Sequence, residues 1–126
     1  MYDFREQMFS HDENLFRAST LKQDFYFDID PDETFKAIQI SYAQNDVVLI
    51  QKTKDDLTFM ESTDDNEEPV FVATLTLSQE ETSRFSLKNS RYVYLQVRAL
   101  TYGGEAIAFD KIQLLLKDVL DDKVLE

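Results

Sequence analysis

Cysteine is absent from the 126 residues, and the chain has only one histidine, two glycines and two prolines. Without cysteine there is no disulfide framework, no thiolate zinc site and no cysteine nucleophile. The lone histidine, His11, has no neighbour that would complete a metal site or make it a catalytic base. Gly103 and Gly104 are adjacent between two predicted strands and do not precede a helix, so they do not form a phosphate-binding loop.

Carboxylates are abundant, but their spacing does not indicate a catalytic or metal site. Asp28, Asp30 and Asp32 have the alternate spacing that opens a calcium loop. The sixth loop position then needs glycine and is Glu33, and the twelfth needs glutamate and is Gln39. Nothing distinguishes a glycosidase-like carboxylate pair from ordinary surface acids. We expect a protein that is not an enzyme and has no catalytic residues, no cofactor and no bound metal.

Basic residues are scarce: 13 lysines and arginines against 25 aspartates and glutamates give a formal net charge of −12. Such a charge repels nucleic-acid backbones and anionic membranes, so neither is an expected partner. Two interpretations of the acidity stay open. It keeps the protein soluble and protects sheet edges from aggregation, or it attracts a basic protein, as a DNA-imitating inhibitor would.

Long hydrophobic runs are also missing. No run of 18 apolar residues is present, which predicts no membrane-spanning helix. The first six residues have neither the basic start nor the apolar core of a signal peptide. The length predicts one domain, and we expect a protein that is made in a cytoplasm and not secreted through a signal peptide.

The sequence does contain a strongly alternating stretch between residues 91 and 116. Two runs of alternating apolar and polar residues flank the glycine pair at 103 and 104. Period-two alternation is typical of a strand with one buried face, and a Gly-Gly pair between two such runs is typical of a hairpin. We predict a long hairpin. Its non-core face has a set of tyrosines, which either pack across strands or form a contact surface: Tyr92, Tyr94 and Tyr102.

Five shorter strands are predicted at residues 23–29, 35–43, 47–52, 57–60 and 70–77. The apolar run at 47–50 predicts burial of the third strand on both faces, and the fourth is expected at an edge. Ser78 and Glu81 have capping-box spacing, which predicts a short helical crossover that Phe85 and Leu87 pin to the sheet. The predicted fold is mostly β: a seven-stranded immunoglobulin-like β-sandwich with Greek-key connections, or alternatively a small barrel.

Residues 1–22 differ from the predicted sandwich domain, residues 23–126, because large apolar side chains are spread among charged ones. This N-terminal arm either folds back on its own domain or docks on a neighbouring subunit, where aromatic side chains contribute strongly to binding. With the tyrosines of the hairpin, its apolar residues make up the candidate interface: Phe4, Met8, Phe9, Leu15, Phe16, Tyr92, Tyr94 and Tyr102.

Five runs carry a family resemblance: SYAQND (41–46), IQKT (50–53), LTLSQEETSRF (75–85), YLQVRALTYGGEAIA (94–108) and LKDVLDDKVL (116–125). In these runs the chain resembles small virion structural proteins of tailed phages, or prophages, of Gram-positive bacteria. The resemblance covers residues 35–125 and leaves the arm outside. It implies a β-sandwich building block of a tail, baseplate or head-to-tail region. It carries over no binding residues, and we assign its motifs at Ser78, Glu81, Gly103 and Gly104 to folding.

The expected function is therefore that of a non-enzymatic phage structural protein, located in the virion, that contacts other copies of itself or other virion proteins. A homo-oligomer or a larger assembly is expected. The alternative is an acidic inhibitor of a basic, nucleic-acid-binding protein, with its carboxylates clustered on one face.

Overall fold

The computed structural model describes residues 14–63, 65–109 and 111–119. The described residues form nine strands and two short helices. The strands are β1 (Asn14–Phe16), β2 (Leu21–Phe27), β3 (Phe35–Gln44), β4 (Val47–Thr53), β5 (Thr58–Thr63), β6 (Pro69–Leu77), β7 (Tyr92–Thr101), β8 (Ala106–Ala108) and β9 (Ile112–Lys117). The helices are α1 (Pro31–Thr34) and α2 (Gln79–Thr82), and a 3-10 turn spans Lys54–Asp56.

The strands form two open sheets. The larger sheet has the order β1-β9-β7-β3-β4, and β8 pairs with β7 beyond the end of β9. The smaller sheet has the order β2-β6-β5. All neighbours are antiparallel except β1 and β9, which are parallel. The mostly β, sandwich-like character is confirmed, but the described residues form nine strands where seven were predicted.

The core lies between the two sheets because one face of each strand is apolar. The smaller sheet contributes residues such as Phe25 and Leu75, and the larger sheet contributes Ile40, Leu95 and Leu114. At one end of this core, three aromatic rings pack edge-to-face with centroids 6.1–6.5 Å apart: Phe27, Phe35 and Phe109. Such pairs add stabilisation beyond their buried area.

A buried hydrogen bond joins the two sheets. The Tyr42 hydroxyl, on β3, donates to the side-chain carbonyl of Gln23, on β2. Burial, and in addition the negative charge of Glu81, raises the pKa of the Tyr42 hydroxyl well above its ordinary value. The hydroxyl therefore remains protonated and keeps donating, which satisfies a polar group that burial would otherwise destabilise.

The crossover between β6 and β7 has the predicted capping box. The Glu81 amide donates to the Ser78 hydroxyl, and the Ser78 amide donates to the Glu81 carboxylate, both over 3.1 Å. The same carboxylate lies 2.6 Å from the Lys52 amine on β4. Partial burial raises the pKa of Glu81, but the hydrogen bonds from Lys52 and Ser78 and the lysine charge outweigh it, so the pKa lies below its ordinary value.

The predicted long hairpin is present, but its second strand, predicted as a single run, is divided into β8 and β9, which both pair with β7. Gly104 has a φ of +90°, a conformation that glycine adopts at little cost. Phe85 is buried as predicted, whereas Leu87 is exposed and does not pin the crossover. The prediction that the third strand is buried on both faces is wrong: Val47 and Val48 are 57% and 52% exposed. They belong to β4, which is an edge strand with one face open.

Residues 14–22, which the sequence analysis assigned to the arm, contribute β1 and the start of β2. Leu15 is fully buried in the core. Arg17 holds this segment in place: its backbone amide donates to the Lys117 carbonyl over 2.9 Å, and its Nε donates to the Phe85 carbonyl over 2.6 Å. The segment therefore packs on its own domain. The interface candidates Phe4, Met8 and Phe9 lie outside the described residues.

Candidate protein-interaction face

The face of the larger sheet that points away from the core brings together several predicted contact residues. Because directly paired residues share a face, the register defines this outer face. Its residues are Asn14 and Phe16 on β1; Ala37, Gln39, Ser41 and Ala43 on β3; Val48, Gln51 and Thr53 on β4; Tyr92, Tyr94, Gln96, Arg98 and Leu100 on β7; Ala106 and Ala108 on β8; and Gln113, Leu115 and Lys117 on β9.

None of these outer-face residues is an aspartate or glutamate, although about one residue in five of the chain is acidic. Its charged members are Arg98 and Lys117, and both are basic. The carboxylates of the described chain lie mainly in connections between strands, for example Asp30 and Asp32 before and within α1. The outer side of the smaller sheet has Asp24, which accepts a hydrogen bond from the Thr74 hydroxyl over 2.7 Å.

Large side chains on the outer face are accessible. Val48 is 52% exposed, Phe16 is 45% exposed and Tyr94 is 40% exposed. The Lys117 amine lies 5.9 Å from the centre of the Phe16 ring, a distance suited to a cation–π contact. The remaining members are mostly short or uncharged side chains. A surface that contains tyrosines and few charged residues is typical of the centre of a protein interface, where charged residues are depleted.

Two open cavities lie on the outer face. The larger, about 610 Å³, is lined on its floor by Ala37, Leu100, Ala106 and Ala108. Lys36, Lys54, Asp55 and Arg98 also line it, and we name this cavity the basic groove. The second, about 400 Å³, lies between Val48 and Tyr94 and also has Asp46 and Lys111 along its border. Lys36 occupies the extra position of a bulge in β3.

The sequence-predicted candidates that lie within the described residues divide into three groups. Phe16, Tyr92 and Tyr94 lie on the outer face, and Tyr92 is half-buried. Tyr102 lies in the Gly-Gly turn at the end of the same sheet, 64% exposed, with the Lys54 amine 5.7 Å from its ring centre. Leu15 pairs with Leu116 and is fully buried in the core, so it does not lie on the outer face.

Sequence reasoning missed the basic groove. Lys36, Lys54 and Arg98 lie on three separate segments of the sequence, and arginines such as Arg98 looked scattered there. The pairing of β3 with β7 places Gln39 opposite Arg98, and the 3-10 turn after β4 adds Lys54. The sequence shows which polar residues of each alternating strand share a face, but it does not show which strands are neighbours in the sheet.

No group of three or more histidine, cysteine, aspartate or glutamate side chains within the described residues is placed to hold a metal ion. No helix in the described part of the chain is long and apolar enough to cross a membrane. No protein-family model matches the chain, and no curated protein matches its sequence.

Proposed function

We propose that this protein is a non-enzymatic structural building block whose copies associate through the outer face. The observation that carries the proposal is that none of the strand residues that form the outer face is an aspartate or glutamate, in a chain with a net charge of −12. Two such chains repel each other in general. A close contact is less costly where at least one of the two surfaces lacks carboxylates on its strands, and the outer face is a surface of that kind.

The composition of the outer face supports the same function. Tyrosine and other large side chains give high contact energy at interfaces, of the order of 2 kcal/mol at the strongest positions. Tyr94, Val48 and Phe16 are exposed there without a covering element among the described residues. The alanines and the serine of β3 and β8 have short side chains, so another protein can approach the backbone of the sheet closely.

The setting that we propose is a phage tail, baseplate or head-to-tail assembly, with the protein located in the virion. The support for this setting is the resemblance of residues 35–125 to small virion structural proteins, together with the mostly β, sandwich-like fold. The proposed partners are further copies of the chain and other virion proteins.

We infer further that the sandwich is immunoglobulin-like in its connectivity. If β1 and β8 are regarded as additions, seven strands remain, in the orders β2-β6-β5 and β9-β7-β3-β4. These orders correspond to B-E-D and G-F-C-C′ of an immunoglobulin variable-type domain. The crossover with α2 then occupies the connection between strands E and F.

The proposal is tested by measuring mass with light scattering behind a sizing column over a range of concentrations. We expect the wild-type chain to associate, and Tyr94→Glu to shift it to monomer because it places a carboxylate on the outer face. The matched control is Thr76→Glu, which adds the same charge to the exposed side of the smaller sheet. Circular dichroism checks that both variants fold. A wild-type chain that is monomeric throughout, or equal effects of the two variants, would contradict the proposal.

A second candidate is the acidic inhibitor of a basic, nucleic-acid-binding protein. The observation that favours it is a cluster of carboxylates at one end of the sandwich, where Asp30, Asp32 and Glu61 line one small cavity. The same mass measurement separates the two functions, because an inhibitor needs no contact between copies. A monomer at all concentrations would favour this candidate.

A further inference from the structure

The basic groove has positive charge that the described chain does not neutralise. Lys36 and Arg98 are exposed and have no ion-pair partner among the described residues. Lys54 is held at the wall, with its amine 3.2 Å from the Asp32 carboxylate. Asp55 is the carboxylate that lines the groove. Because Lys54 is paired with Asp32, two basic side chains without an ion-pair partner in the described part of the chain lie beside one carboxylate, which favours an acidic occupant even in a chain of net charge −12.

The floor of the groove limits the shape of that occupant. The floor carries short side chains, because positions 37, 106 and 108 are alanines. An extended segment can therefore lie close to the sheet. The Lys36 and Arg98 side chains then reach it from the sides. A flat, acidic β element, which can lie along the surface of a sheet, fits this arrangement better than a cylindrical helix of about 10–12 Å diameter.

The same chain has an extended acidic element. β5 and β6 pair from Thr58↔Thr74 to Thr63↔Pro69, and every described residue between 60 and 69 is exposed. We name residues 60–63 and 65–69 the acidic hairpin. It contains the carboxylates of Glu61, Asp65, Glu67 and Glu68, together with the 62% exposed Met60. Because β5 is an edge strand, one side of the hairpin is open to pairing.

We propose that the acidic hairpin of one copy docks into the basic groove of a second copy. This inference rests on the proposed self-association. Face-to-face packing of two outer faces is disfavoured, because it would place Arg98 and Lys117 opposite basic side chains of the second copy. Docking of the hairpin instead places carboxylates next to Lys36 and Arg98, and it adds Met60 to an apolar floor.

The two docking elements are different surfaces of the same chain. Reciprocal docking of two hairpins into two grooves closes a dimer, whereas one-way docking continues into a ring or filament. Both arrangements keep the pairing of hairpin with groove, and the measured mass tells them apart.

Charge reversal tests the pairing. The groove reversal combines Lys36→Glu with Arg98→Glu, and the hairpin reversal combines Glu61→Lys with Glu67→Lys. We expect each to weaken association at least about tenfold, as the loss of interface charge pairs does. We expect an equimolar mixture of the two variants to regain association. The matched controls, Lys22→Glu and Glu80→Lys, change exposed charges elsewhere and should leave association near that of the wild type.

The hairpin reversal distinguishes the proposal from general charge repulsion. It makes the chain less negative, so repulsion between copies alone would predict stronger association, whereas loss of docking predicts weaker association. If Tyr94→Glu abolishes the association of the wild-type chain and neither reversal changes it, the hairpin docking is overturned and the proposed function remains intact. Association that none of these variants changes would overturn both. A mixture of the reversals that stays monomeric would also contradict the pairing.

Discussion

Replacing Tyr42 by phenylalanine tests whether the buried hydrogen bond between the two sheets is needed for stability. The change removes one hydroxyl and leaves the ring, so it creates almost no cavity. It leaves the Gln23 carbonyl without this donor at a site where the two residues are 0% and 1% exposed. Removal of one partner of a buried hydrogen bond costs about 1–3 kcal/mol. We therefore expect the free energy of unfolding to fall by about 1–3 kcal/mol.

The measurement is urea unfolding followed by circular dichroism, with the denaturant dependence of the unfolding free energy required to stay unchanged. In thermal unfolding the same loss corresponds to a shift of the melting temperature of roughly 4–11 °C for a chain of this length. Tyr94→Phe is the matched control. Its hydroxyl accepts a long, exposed hydrogen bond from Gln113, so we expect a change within about 0.5 kcal/mol.

The double variant Tyr42→Phe with Gln23→Leu completes the test. Because it removes both polar groups, its loss should be smaller than the sum of the two single losses. A Tyr42→Phe variant as stable as the wild type, or strictly additive single losses, would refute the argument that this bond satisfies a buried polar pair.

Three further predictions use the same unfolding measurement. Glu81→Gln should cost about 1 kcal/mol at pH 7 by removing the charge paired with Lys52. Because the folded-state pKa of Glu81 lies below its ordinary value, that difference should be present above the ordinary pKa and disappear as the pH falls through the folded-state pKa; a constant difference would contradict it. Leu15→Ala should cost about 2–5 kcal/mol, because Leu15 is fully buried, and a neutral result would contradict the packing of this segment on its own domain. Gly104→Ala should cost about 1 kcal/mol through its positive φ, whereas Gly103→Ala should be tolerated; equal effects would argue against backbone strain.

Local signals determined several elements of this protein. The alternation in β7 predicted its buried face, with Val93, Leu95 and Val97 in the core. The Ser78 and Glu81 spacing predicted a capping box that the structure has. These predictions succeed because strand alternation and helix capping depend on residues close together in sequence. The acidic composition and the edge position of β5 were likewise visible in the sequence.

Tertiary structure decided which strands are neighbours, and the strand order determines which residues come together in the candidate site. The run at Val47 and Val48 is apolar enough for a central strand, yet its position at the sheet edge exposes it. Leu15 is part of the core only because β1 pairs with β9, about a hundred residues away in sequence. The outer face and the basic groove exist because β3 lies beside β7, which brings Lys36 and Arg98 to one surface. Pairing of distant strands depends on how all apolar faces can be buried together, and that condition belongs to the whole chain and to no single segment.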